Sequence, residues 1–279
     1  MIIFARTRHV YDSYTDFWRL VELGNFPICY IDEVNLGQRN VYITTMIDPN
    51  PDGEWAQMIK LQEGQRRNAH LILWNLERPK GWCQTVMRYN ERCHLMLSRR
   101  WFDEIWVSDR RLAQESELRH VILGSHPGLG TPGALDEKSY GLVHMSYATN
   151  RRQTVYKHFD SIGPSCWGEE RDRVLRASRF ALNVHQDDHP FQEPLRFALF
   201  AAYGLPILSE AMFDAYPWGT ENMVFDNFPH LAGHLRAMLE NRYERWARFG
   251  LRGRELLCDK YEFGKTVREA VFKTTGETG

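Results

Sequence analysis

The chain has 279 residues, of which 43% are hydrophobic and 25% charged, a composition that excludes a disordered protein and is typical of globular ones. Its 35 basic and 36 acidic residues give a formal net charge of −1, which excludes bulk electrostatic attraction to nucleic acid or an anionic membrane but not a local basic patch. No apolar run approaches the roughly 18 residues that a membrane span needs, so none is predicted.

Short apolar runs alternate with helix-like segments through the first half of the chain. Strands separated by helical patterns of this length indicate βαβ units and a parallel sheet. The predicted strands are 2–5, 28–31, 41–47, 70–76, 104–107 and 120–123, and the predicted helices are 11–23, 55–67, 84–100 and 110–117.

A Gly/Pro-rich segment, residues 124–133, interrupts this rhythm and predicts a linker. The rhythm then restarts and ends in a mostly helical region. We therefore predict an α/β protein with two Rossmann-like βαβ domains, at 1–135 and 136–260. The predicted strands of the second half are 141–146, 180–184 and 206–208, and the helices are 151–160, 169–178, 194–203, 231–258 and 263–273.

The most informative segment leads from the strand at 180–184 through a polar loop into the helix at 194–203. Pro194 stands in the first turn, where a missing N–H costs nothing, and Gly204 is placed to end the helix in the left-handed conformation. In a parallel sheet, a strand's carboxyl end and the next helix start form a ligand crevice that attracts phosphate and hydroxyl oxygens. We expect Glu193 to accept hydrogen bonds from sugar hydroxyls there, and Arg196 to face phosphate or hold Glu193.

The run Glu193-Pro-Leu-Arg, continued by Ala201-Ala-Tyr-Gly-Leu-Pro-Ile-Leu-Ser-Glu210, resembles the donor-binding segment of GT-B glycosyltransferases. The resemblance implies domains that face each other across a cleft, the first binding the acceptor and the second a nucleotide diphosphate sugar, with a UDP-sugar as the expected donor. It also implies that no metal is required, and that residues 261–279 form a helix packing back on the first domain. The family's second Glu would fall at Ala201, so the ribose contact departs from the family pattern.

A second segment, residues 144–158, also runs from a predicted strand into a predicted helix and supports the same ligand site. Asn150 and Gln153 resemble a capping box, which puts Arg151 and Arg152 in the first helical turn, where the helix dipole disfavours cations. The pair indicates a nearby anion; a solvated surface pair is the alternative. The predicted donor-binding residues are Ser146, Tyr147, Arg151, Arg152, His185, Gln186, Glu193, Pro194, Leu195 and Arg196.

Asp48 and Glu77 follow predicted strand ends and are the candidate catalytic residues. Inverting transfer needs a carboxylate or histidine within reach of the acceptor hydroxyl, acting as general base. Each of the two could instead serve as a helix cap or turn residue.

The acceptor is either a hydroxymethylated DNA base or a saccharide or other small molecule. Compact enzymes of the resembled class include viral ones that glucosylate modified DNA bases. Arginine pairs with tryptophans nearby in sequence would suit DNA if they shared a face, although each pair alone is typical of a solvated helix end. These pairs are Arg66-Arg67, Arg99-Arg100 and Arg110-Arg111.

The same residues are also compatible with other functions. A nucleotide-sugar epimerase and a non-catalytic sugar-nucleotide-binding module remain alternatives. The Gly-x-Gly-x-x-Gly at 128–133 makes a poor helix start for a dinucleotide site, and His185 with His189 lacks a third zinc ligand. Five scattered cysteines without a Cys-x-x-Cys pair, together with an N-terminus lacking a secretory pattern, predict a cytoplasmic protein, in the host cytoplasm if viral.

Overall fold

The protein is described by a computed structural model covering residues 1–8, 15–45, 53–64, 66–76, 101–146, 149–159, 161–162, 168–185, 192–212 and 214–276. It divides into two compact units. The first consists of Met1–Leu123 together with Phe263–Gly279, and the second of Gly124–Glu262.

The first unit is built on a six-stranded parallel sheet of order β2-β1-β3-β4-β5-β6. Its central strands are nearly continuous apolar runs because helices cover both faces of a parallel sheet. The strands are β1 (Ile2–Arg6), β2 (Ile28–Tyr30), β3 (Val41–Thr44), β4 (His70–Asn75), β5 (Glu104–Val107) and β6 (Arg119–His120), and the helices are α1 (Thr15–Leu23), α2 (Glu54–Leu61) and α3 (Arg110–Ser116).

The second unit is built on a five-stranded parallel sheet of order β11-β10-β9-β7-β8. The strands are β7 (Tyr140–Val143), β8 (Ser161–Ile162), β9 (Ser178–Asn183), β10 (Ile207–Glu210) and β11 (Val224–Asp226), and the helices are α4 (Asn150–Tyr156), α5 (Gly168–Ala177), α6 (Pro194–Ala202), α7 (Phe228–Glu240) and α8 (Tyr243–Arg254). The predicted α/β class with two parallel sheets is confirmed. The short strands β8 and β11 were not predicted, because two or three residues are too few to show a hydrophobic pattern.

The last helix, α9 (Phe263–Thr275), belongs to the first unit. Phe263 joins a cluster of aromatic rings, stacking on Trp74 with ring centroids 5.9 Å apart. Phe4, Phe17 and Phe26 complete the cluster. The apolar start of α9 therefore lies in the core of the unit that contains β1.

The glycine-rich segment after β6 belongs to the second unit, whereas the sequence put the boundary after residue 135. Ser125 donates from its hydroxyl to the carbonyl of Ala198 at 2.8 Å, both within this unit. A Cβ on Gly130 would overlap the Tyr203 ring, and one on Gly133 would collide with the Arg176 carbonyl. The glycines allow close packing of the backbone. This packing accounts for the Gly-x-Gly-x-x-Gly at 128–133 without a dinucleotide-binding function.

Candidate functional site

The candidate site lies at the carboxyl edge of the second sheet, where β7, β9 and β10 end side by side. Parallel strands bring their carboxyl ends to one edge, so residues distant in sequence meet there. His144 follows β7, His185 follows β9 and Glu210 is the last residue of β10. All three are buried.

Helix α4 is capped by Thr149, whose hydroxyl accepts a hydrogen bond from the backbone N–H of Arg152 at 3.3 Å. The predicted capping box of Asn150 and Gln153 is therefore wrong by one residue. Thr149 has the extended backbone of a cap, while Asn150 is already helical. Arg151 and Arg152 still lie in the first turn.

Arg151 is fixed by Glu210. Its two terminal nitrogens donate to the two carboxylate oxygens, one at 2.7 Å and the other closer. The guanidinium also donates to the carbonyl of His185 at 3.1 Å and lies 3.8 Å from the ring centroid of Phe228. Glu210 in turn accepts the backbone N–H of His185 at 3.0 Å. One buried carboxylate thus holds both the arginine and the backbone after β9.

Glu193 bridges two other arginines. Its Oε1 accepts from Arg152 at 3.2 Å, and its Oε2 forms a shorter ion pair with Arg196. Arg152 is only 4% exposed and also donates through Nε to the carbonyl of Val184 at 2.8 Å. Glu193 occupies the N-cap position of α6 without a side-chain cap bond, since arginines engage its oxygens instead.

Arg151 and Arg152 indicate a nearby anion in the sequence, and the structure supplies one within the protein itself, as the carboxylates of Glu210 and Glu193. With Arg196, three guanidinium groups face two carboxylates. The group keeps a surplus of one positive charge in a mostly buried setting. Such a surplus favours binding of an anionic ligand, because burial weakens solvent screening.

Beside this group lies a neutral polar cluster of His144, Ser146 and Tyr156. The His144 and Tyr156 rings stack with centroids 3.8 Å apart, and the Ser146 hydroxyl lies 2.6 Å from that of Tyr156. Burial, helped by the positive charges of Arg196 and Arg152, lowers the pKa of His144 to about 4. Burial also raises the pKa of the Tyr156 hydroxyl. His144 is therefore uncharged at neutral pH and adds no further positive charge.

The structure brings five predicted donor residues together at this edge: Arg151, Arg152, His185, Glu193 and Arg196. Pro194 is buried at the first position of α6, Leu195 beside it is half-buried, and Ser146 faces Tyr156. The candidate bases Asp48 and Glu77 and the predicted donor residues Tyr147 and Gln186 lie outside the described residues.

The sequence analysis missed Glu210, Asn183 and His144. Asn183 is buried, accepting from Arg196 and donating to the Ser209 hydroxyl at 3.0 Å. Each of the three lies in the last position of a parallel strand or directly after one. His144 and Asn183 fall inside the predicted strands 141–146 and 180–184, and Glu210 lies beyond the predicted strand 206–208, so the rule of looking just after strand ends missed them because the predicted ends were misplaced by one to three residues.

The described ranges hold neither a metal-binding cluster nor a membrane-spanning helix. They contain no group of three or more His, Cys, Asp or Glu side chains arranged to hold a metal ion. Among the helices of the same ranges, none is both long and apolar enough to cross a bilayer.

Solved structures show the same fold over nearly the whole chain. The Anabaena protein HepE in complex with UDP-glucose matches with a TM-score of 0.64 at 11% identity, covering 99% of both chains. Sucrose-phosphate synthase from Thermosynechococcus elongatus gives 0.61 at 10% identity, again covering 99% of each. An α-glucosyltransferase bound to UDP-glucose and abasic-site DNA gives 0.61 at 8% identity, covering 97% of this chain and 98% of its own.

The family comparison covers the candidate site directly. Residues 111–271, more than half of the chain and including every predicted donor residue that the structure describes, match the glycosyl transferase-like family. No curated protein matches the chain significantly. The resemblance seen in the sequence is thereby confirmed: the chain belongs to the glycosyl transferase-like family and is a glycosyltransferase with the GT-B fold.

Proposed function

We propose that the protein transfers glucose from UDP-glucose to an acceptor hydroxyl, with the donor diphosphate bound at the carboxyl edge of the second sheet. The observation that carries the proposal is the group of Arg151, Arg152 and Arg196, which two carboxylates orient but do not neutralise. Arginine suits phosphate because its planar fork can donate two parallel hydrogen bonds.

The chemistry follows from the charge that develops during transfer. When the bond from the sugar carbon to the diphosphate breaks, negative charge grows on the leaving diphosphate. Preorganised cations at that position stabilise the transition state without rearranging. Glu193 keeps Arg152 and Arg196 in place, and we expect its partly exposed carboxylate to accept a hydrogen bond from a sugar hydroxyl.

The choice of donor is supported by proteins of the same fold. HepE and the α-glucosyltransferase were both solved with UDP-glucose. The general base is proposed to be Asp48 or Glu77, as the sequence predicts. The acceptor is a saccharide or small-molecule hydroxyl or a modified DNA base; the α-glucosyltransferase complex with DNA supports the latter.

The proposal is tested by a thermal-shift panel of nucleotide diphosphate sugars. A donor at 100 times its Kd should stabilise the protein by about 2.7 kcal/mol. We expect UDP-glucose to raise the melting temperature of the wild type and of Arg173→Gln, an exposed arginine on α5. Arg196→Gln should remove the shift. An equal shift in Arg196→Gln, or none in the wild type with any sugar nucleotide, would overturn the proposed site.

Turnover assays separate transfer from the alternatives. Transfer requires that donor consumption depend on an added acceptor hydroxyl. Conversion of the donor to an isomer without any acceptor would identify an epimerase. Donor binding with no turnover of any kind would identify a binding module.

A further inference from the structure

A stripe of four arginines begins at the residue before α8 and continues along the outward face of that helix: Arg242, Arg245, Arg248 and Arg252. The spacing of three, three and four residues puts them on one side of the helix. All four are exposed, and within the part of the chain that the structure describes no carboxylate forms an ion pair with them. Arg252 donates to the backbone carbonyl of Glu221 at 3.5 Å, and nearby Arg254 donates to the carbonyls of Gly130 and Ala202.

The fold fixes this face toward solvent. On the opposite side of α8, Trp246 and Tyr243 pack against the core of the second unit, Tyr243 with its ring centroid 5.5 Å from that of Phe180. A Cβ on Gly250 would collide with the carbonyl of Gly204, so α8 approaches the end of α6 as closely as backbones allow. The helix cannot rotate its arginines inward without losing these contacts.

The arginines line a depression on the surface. Arg242, Arg245 and Arg248, together with Glu244, surround a groove of about 710 Å³. Three positive charges face one negative charge there, although the whole chain has a net charge of −1. The groove is therefore a local concentration of positive charge.

We infer that this arginine groove binds the phosphodiester backbone of a nucleic acid. From Arg242 to Arg252 the helix rises about 15 Å, at roughly 1.5 Å per residue. At about 3.4 Å of duplex axis per phosphate of one strand, that length along the axis corresponds to about four phosphates. Guanidinium groups are well suited to phosphate oxygens, and such contacts require no particular base sequence.

The groove fits a phosphate strand better than a bilayer. A membrane-surface helix directs its apolar face into the lipid, whereas Tyr243 and Trp246 of α8 pack inward. Among the large apolar side chains of α8, Leu251 is the one that is exposed, at 51%. A concave surface lined by charge also suits a narrow strand more than a flat membrane.

The groove is separate from the donor residues. Tyr243 packs beside Phe180 near the start of β9, whereas the donor residues follow the end of that strand. A nucleic acid in the groove would not displace the donor. The inference deepens the proposed function by naming nucleic acid as the partner that carries the acceptor hydroxyl. That acceptor role rests on the proposed transfer, whereas binding of nucleic acid to the groove does not.

Binding of fluorescently labelled duplex DNA, followed by anisotropy between about 50 and 200 mM salt, tests the inference. Since each phosphate contact contributes about 0.9 to the slope of log K against log salt, the triple variant Arg242→Gln/Arg245→Gln/Arg248→Gln should reduce the slope by nearly three. Its affinity should fall about tenfold or more. The lysine variant at the same positions should retain most of the salt dependence.

A matched control removes three exposed charges from the first unit: Arg39→Gln/Lys265→Gln/Lys273→Gln. We expect it to bind DNA within twofold of the wild type. Equal binding by the groove variant, an equal loss in both triple variants, or binding of phosphatidylserine vesicles without binding of DNA would overturn the inference. The UDP-glucose thermal shift, measured on the same variants, should be unchanged, so that a failed donor proposal would be recognised separately.

Discussion

Arg151 and Glu210 form a doubly hydrogen-bonded ion pair that also holds the backbone of His185 on both sides, through its N–H and its carbonyl. The two residues are 59 positions apart in sequence. Because both side chains are largely buried, the pair ties the start of α4 to the ends of β9 and β10. It therefore sets the shape of the candidate donor site before any ligand binds.

The Glu210→Ala substitution should destabilise the protein. Removing one partner of a buried pair leaves the other charge uncompensated, at a cost of about 3 kcal/mol. Urea denaturation should show this loss of unfolding free energy. The further loss caused by Arg151→Met in the Glu210→Ala background should be much smaller than the loss caused by Arg151→Met in the wild type. The control Glu170→Ala, which breaks a fully exposed pair with Arg173, should leave the unfolding midpoint unchanged. Additive effects of the two buried substitutions would show that the pair is not coupled.

Removing the Glu193 carboxylate should impair transfer more than folding. Without it, Arg152 and Arg196 lose their shared partner, and the expected fall in kcat/KM with UDP-glucose is about 100-fold. Steady-state kinetics of Glu193→Ala and Glu193→Gln measure the effect, with exposed Glu169→Ala as the control. Wild-type turnover in Glu193→Ala would remove this residue from the site.

His144 should make stability depend on pH. Its pKa is lowered from 6.5 to about 4 in the folded protein, so the unfolded chain binds the proton more readily between these values. The contribution of neutral His144 to the free energy of unfolding is fully present above about pH 6.5. It is lost as the pH falls toward 4, and the loss amounts to at most about 3 kcal/mol.

Denaturation curves across this pH range test the His144 prediction. In His144→Phe, which can keep the stacking on Tyr156, the free energy of unfolding should vary less with pH than in the wild type. The exposed control His158→Phe should follow the wild-type curve. An unchanged pH slope in His144→Phe would contradict the assignment.

Two glycines on neighbouring helices should respond in opposite directions to alanine. Gly250→Ala would drive a methyl group into the backbone carbonyl of Gly204, and overpacking of this kind costs about 1–3 kcal/mol. Gly233, exposed within α7, has open space around it, so Gly233→Ala should stabilise the helix by up to about 1 kcal/mol. Melting temperatures of the two variants give the comparison, and a neutral Gly250→Ala would show that α8 can move away from α6.

The local elements and the class of fold follow from the sequence alone. Apolar runs of strand length, helical spacing between them, and the signals of Pro194 and Gly204 are local, and the structure has α6 at Pro194–Ala202 with Gly204 at a φ of +61°. The family resemblance followed from the same short run. The sequence prediction of the cap of α4 was wrong by one residue. Thr149 and Asn150 are both good capping residues, and the extended backbone of Thr149 makes it the cap.

The pairing of the charged side chains, by contrast, depends on how the strands and helices pack together. That Arg151 pairs with Glu210, and Arg152 with Glu193 some 41 residues away, depends on the order in which β7, β9 and β10 lie in the sheet. Hydrophobic periodicity reports which face of an element is buried but not which element lies beside it. The assignment of the glycine-rich segment to the second unit came likewise from its contacts with Ala198 and Tyr203, which no pattern near residue 124 reveals.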